Sequence, residues 1–100
     1  MNSCIDQMRV EFHNTANSDF FSIYKAFEKA AGGLNRDKDE YRFQEIKKQY
    51  ALLLEERLRS AANHILGKYA SEKQSREIGQ LFNQFIKEYL HRFVQKVNAI

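Results

Sequence analysis

Residues 37–66 run without a proline or a glycine, and nothing else in the chain narrows the fold so sharply. Good helix formers fill the stretch, among them Glu45, Lys47, Lys48, Leu52, Glu55, Glu56, Ala61 and Ala62. Asp37 stands three residues before Glu40, an acidic relative of the capping box, and Gly67 follows as a C′ candidate. A helix from Asp37 to Leu66 is a rod about 45 Å long. A rod of that length needs another long helix beside it. Its apolar positions are Phe43, Ile46, Tyr50, Leu53, Leu54, Leu58, Ala61, Ala62 and Ile65, mostly four apart. Steps of four outrun a heptad, so the stripe rotates and the two ends face different neighbours.

The partner rod lies at the C-terminal end. Ile78, Leu81, Phe82, Phe85, Ile86, Tyr89, Leu90, Phe93, Val94 and Val97 form a stripe broader than a two-helix seam requires. Ser71 and Gln74 have capping-box spacing, which predicts a helix over 72–97 after a turn at Lys68 to Ala70. Gly79 falls within the stripe, where a glycine costs about 1 kcal/mol relative to alanine. A hairpin about that turn sets Gly79 opposite Ala61 and Ala62, Tyr89 near Tyr50 and Phe93 near Ile46. Small residues on both sides then predict a close backbone approach, and overpacking by Gly79→Leu.

The N-terminal third reads as short elements. Ser3 and Asp6 have capping-box spacing, and Ile5, Met8 and Phe12 follow at helical intervals, giving a helix over 4–15. The rival is a strand, because Met8, Val10 and Phe12 alternate with Arg9, Glu11 and His13. Asn14 to Ser18 is a polar break. Ser18 is then an N-cap for a second short helix with Phe20, Ile23, Tyr24, Phe27 and Ala31 on its face, ended by Gly32-Gly33. A phosphate loop at the glycine pair lacks the Lys-Ser/Thr that would follow it.

The expected fold is therefore all-α. A long antiparallel helical hairpin carries one or two short N-terminal helices, making a three- to four-helix bundle in a single domain over 1–100. One cysteine, Cys4, leaves no internal disulfide framework, and no apolar run approaches a membrane span. Neither a basic n-region nor an apolar h-region marks the N-terminus for secretion, so the expected location is cytoplasmic.

Charge is informative in its distribution. Through Gly67 ten Lys/Arg balance ten Asp/Glu, whereas from Lys68 onward six basic residues meet three acidic ones. Lys73, Arg76, Gln80, Asn83, Gln84, Lys87 and His91 share one side of the last helix, interrupted by Glu77 and Glu88. Such groups contact phosphates and base edges, and Lys73, Arg76, Lys87 and His91 are the residues a nucleic-acid reading uses. The ordinary reading is a solvated helix face. The turn before it is not that of a helix-turn-helix.

Catalytic signatures are thin. Glu88 and His91 have the Glu-x-x-His spacing of di-metal bundles, but no second copy exists and both oppose the apolar stripe. His13, His64 and His91 are scattered, with His64 at the edge of the central stripe. Cys4 has no local basic residue to activate it, and Glu55-Glu56 reads as solvent-facing. The chain is expected to be non-enzymatic, without cofactor or metal.

Tyr41, Leu52 and Leu66 lie away from the main stripe of the central helix, among Lys48, Glu55 and Arg59. An aligned second row implies a second contact. The leading expectation is a small interaction module that binds another protein through these residues and forms a homodimer. A nucleic-acid-binding regulator is the alternative.

Overall fold

The computed structural model describes residues 3–35, 37–69 and 72–99, with side chains at 3–4, 69 and 72–75 left out. The described secondary structure is three α-helices: α1 (Ser3–Ala31), α2 (Glu40–Tyr69) and α3 (Glu72–Asn98). They pack side by side into a rod of 54 × 19 × 18 Å.

The N-terminal third departs most from expectation. It is one helix of 29 residues, not two short ones, and the 4–15 segment is helical rather than a strand. The polar run Asn14 to Ser18 contains neither proline nor glycine, so helix there costs only a few tenths of a kcal/mol per residue. Ala16 keeps the buried face of the helix continuous across that run. It is fully buried and links Met8 and Phe12 to Ile23 and Phe27 in an unbroken buried stripe. Burial along one face outweighs weak local propensity.

The start of α2 is also shifted. The carbonyl of Asp39, not of Asp37, receives the first helical bond, from the Phe43 amide at 2.8 Å. Asn35 organises the approach: its Oδ1 accepts from the Asp37 amide at 3.0 Å, and its own amide donates to Asp39 Oδ2 at 3.1 Å. These two bonds close the loop between α1 and α2 ahead of the first turn of α2. At the other end Gly67 remains inside the helix, and no described glycine has a positive φ. Gly67 is exposed, with nothing to force the left-handed turn there. Lys68 and Tyr69, expected in the turn, are helical. Ala70 and the Ser71 of the expected capping box lie outside the described residues.

Helix α1 ends at Ala31, before the glycine pair, as expected. The Leu34 amide closes the end by donating to the Ala31 carbonyl at 3.0 Å. A Cβ at Gly32 would come within 3.0 Å of the Glu28 carbonyl oxygen, so this position favours glycine sterically without a positive φ.

Residue pairs give the register. Between α1 and α2, Phe27 meets Phe43 at 5.7 Å, Asp19 meets Arg57 at 4.0 Å, and Glu11 meets Lys68 at 3.9 Å. Between α2 and α3, Lys47 donates to Asn98 at 3.1 Å and Arg59 to Asn83 at 3.4 Å. A Cβ on Gly79 would meet only Leu66, at 3.8 Å. Gly79 thus stands opposite Leu66, about one turn from the expected partners Ala61 and Ala62. The expected close backbone approach is absent, because the added atom would make only an ordinary van der Waals contact. The ring partners of Tyr89 and Phe93 among the described residues lie on α1, and Tyr50 is not one of those of Tyr89. Tyr89 meets Phe12, His13 and Phe20, and Phe93 meets Phe20, Tyr24 and Phe27.

This explains the broad apolar face of α3, which must contact both other helices. Phe12 and Phe82 stack at 4.7 Å with their planes 14° apart, and both are fully buried. Offset ring pairs of this kind contribute about 0.5–1.5 kcal/mol beyond their buried area.

Candidate functional site

The outward face of α2 carries three of the exposed large apolar side chains, Tyr41 being the most exposed of that kind among the described residues. Tyr41 is 79% and Leu52 51% exposed, and Leu53 lies beside them at 36%. Arg42, Glu45, Lys48 and Gln49 complete a shallow groove with Tyr41 and Leu52, and Glu56 adjoins Leu53. Spacing explains the grouping. Tyr41, Glu45, Lys48 and Leu52 recur at intervals of three and four, so they share one side of a helix.

Leu66 does not belong to that row. It is half-buried and packs on the core, filling the space beside Gly79. Leu53 changes roles in the opposite direction, from the expected stripe to the exposed face. In the run Leu52-Leu53-Leu54 consecutive side chains diverge by about 100°, and only Leu54 is fully buried. The signal was the three-leucine run itself, which one helix face cannot bury whole.

The charged neighbours are uncommitted. Among the described residues Arg42, Glu45, Lys48 and Glu56 make no ion pair, in contrast to Glu55, which holds Arg59 at 3.0 Å. Glu45 and Lys48 are three residues apart on a helix, close enough to pair, and do not.

Elsewhere on α1, Val10 and Phe21 are exposed, but Phe21 has the Lys25 ammonium 5.4 Å from its ring centre. On α3, Arg76, Lys87 and His91 are exposed on one side, while the Lys73 side chain lies outside the described residues. Glu88 and His91 are both exposed, and among the described residues no group of three His, Cys, Asp or Glu could hold a metal. The Cys4 side chain is also outside the described residues. His64 is exposed at the rim of a groove between α1 and α2 with Glu11, Asp19, Arg57 and Ser60.

Sequence reasoning missed one polar network. Tyr89 Oη donates to Asn17 Oδ1 at 3.3 Å, so the contact with His13 Nδ1 at 2.8 Å is completed by the imidazole N–H donating to Tyr89. His13 and Asn17, four apart on α1, straddle the hydroxyl of a buried α3 tyrosine. Their i,i+4 spacing was visible in the sequence, but the supposed helix break separated them. Burial raises the Tyr89 pKa above its ordinary value, with Glu88 adding to the rise and Arg92 opposing it. Cations border the seam further along: Arg92 lies 5.5 Å from the Tyr89 ring centre and Lys96 4.4 Å from that of Tyr24. The network ties two helices together at the part-buried hydroxyl of Tyr89.

No family model, curated protein or solved structure matches this chain. The site therefore rests on its own geometry. No helix among the described residues is long and apolar enough to cross a membrane.

Proposed function

We propose that the chain is a small, non-enzymatic, cytoplasmic interaction module that binds another protein through the outward face of α2. The reading takes the bundle as an antiparallel up-down-up arrangement, in agreement with the opposite order of the α1–α2 pairs from Phe27–Phe43 to Glu11–Lys68. The observation that carries the function is the exposed row Tyr41, Leu52 and Leu53 set among unpaired charges. Exposed aromatic and aliphatic residues ringed by polar groups have the composition of an interface centre and its rim. Leu66 supports the bundle, not the surface.

The test is affinity capture with the tagged chain, comparing the native sequence with a Tyr41→Lys, Leu52→Lys double variant. Both positions are exposed, so circular dichroism should remain unchanged while captured proteins are lost. Capture of the same proteins by the variant would refute the α2 surface.

A second reading, nucleic-acid binding through Lys73, Arg76, Lys87 and His91, draws on the exposed Arg76 and Lys87, which make no ion pair among the described residues. Glu77 and Glu88 are also exposed and weaken the field on that helix. Retention on mixed DNA or RNA at low salt, collapsing as salt is raised, would favour it.

A further inference from the structure

The α2 face can be compared with the ligands it could accept. Arg42 and Lys48 are balanced by Glu45 and Glu56, so the face attracts neither a polyanion nor a polycation. Its apolar residues stand at the two ends, Tyr41 at one and Leu52-Leu53 at the other, with Glu45 and Lys48 between. A surface with that order is complementary to itself when turned end for end.

We propose that the occupant of this face is a second copy of the chain, with the two α2 helices antiparallel about a two-fold axis level with Lys47. This rests on the α2 interaction surface proposed above. On an α-helix, Tyr41 lies about 9 Å before that level and Leu53 about 9 Å after it. Each tyrosine is therefore level with the Leu53 of the second copy, so the apolar end of one α2 lies beside the apolar end of the other. Arg42 and Leu52 are likewise equidistant from the axis, which brings the long aliphatic stem of Arg42 level with Leu52. Glu45 of each copy comes within about 1.5 Å, along the helix, of the level of the other copy's Lys48. Two glutamates and two lysines then form a neutral quartet across the axis. This gives a partner to charges that make no ion pair among the described residues of one chain. An isologous contact of this kind contains every interaction twice. The patch is one helix wide, so the contact belongs with small, reversible interfaces.

Sedimentation equilibrium tests the proposal. The native chain should show a monomer–dimer equilibrium. Glu45→Lys and Lys48→Glu should each weaken it at least about tenfold by setting like charges opposite each other. An equimolar mixture of the two single variants should associate again, because every Lys then faces a Glu, and the Glu45→Lys, Lys48→Glu double variant should recover self-association. A single-chain mass at about 1 mM, a concentration at which even a weak contact registers, would overturn the proposal. So would single variants that dimerise like the native chain, or a mixture that stays monomeric. A monomeric native chain whose captured partners are lost in the Tyr41→Lys, Leu52→Lys variant would overturn the second copy alone. A monomer whose capture is unchanged in that variant would overturn the α2 surface as well.

Discussion

Replacing Gly79 with alanine should make this protein more stable. The residue lies in the interior of α3, where glycine costs about 1 kcal/mol relative to alanine because its unfolded backbone has more freedom to lose. The usual reason to retain such a glycine is a neighbouring backbone that leaves no room for a side chain. Here the new methyl would face only Leu66 Cδ1 at 3.8 Å, an ordinary contact with a flexible side chain. The position is half-buried, so the methyl adds roughly half of the 0.8 kcal/mol of a fully buried carbon. The sum is a gain of about 1–1.5 kcal/mol. For a domain of this size it corresponds to a rise of about 5–10 °C in Tm. Thermal melts followed by circular dichroism at 222 nm would measure it, with urea unfolding as a check that the m value is unchanged. A Tm equal to or below the native value would refute the argument, and would mean that α2 and α3 approach more closely at Gly79 than the 3.8 Å contact allows. Gly32→Ala supplies the contrast. Its Cβ would press on the Glu28 carbonyl at 3.0 Å, so no gain in Tm is expected there.

The other expectations concern the core and its polar link. Phe82→Ala removes one of two fully buried stacked rings and should cost about 3–5 kcal/mol, a large part of the stability of a small domain; a near-native denaturation midpoint would contradict the α1–α3 packing. Tyr89→Phe removes the hydroxyl shared by His13 and Asn17 and should cost about 1 kcal/mol, measured by urea unfolding at neutral pH. Because burial raises the Tyr89 pKa above 10.0, its neutral form is favoured in the folded state, and that contribution is complete below pH 10. It is lost as pH rises through the folded value, so the stability gap between native and Tyr89→Phe proteins should narrow above pH 10. A gap independent of pH would contradict the burial of this hydroxyl. Asn35→Ala should cost about 1 kcal/mol by undoing the turn that leads into α2, and an unchanged melt would show that the Asn35 side chain does not hold that turn.

The all-helical class, the extent of α3 and the helix end at Ala31 were legible in the sequence, because each depends on local periodicity and on the few glycines. The stripe from Ile78 to Val97 repeats at helical spacing for nearly six turns, and no strand could bury it on one side. The α2 surface was half legible. Tyr41 and Leu52 could be placed by their distance from the stripe, but Leu66 and Leu53 could not be sorted, since both lie near its edges. Which edge is covered depends on the angle at which a neighbouring helix approaches.

Tertiary structure decided the rest. Whether Asn14 to Ser18 breaks α1 turned on the whole buried stripe Met8, Phe12, Ala16, Ile23 and Phe27, which only a continuous helix keeps on one side and whose burial together exceeds the weak helix propensity of the polar run. The register of α2 on α3 could not be read by pairing small residues, because α3 also packs on α1. Phe82, Tyr89 and Phe93 are positioned by their α1 partners, and this moves Gly79 about one turn along α2. Periodicity specifies which face of a helix is apolar. The competition of three such faces for one core specifies where each residue finally lies.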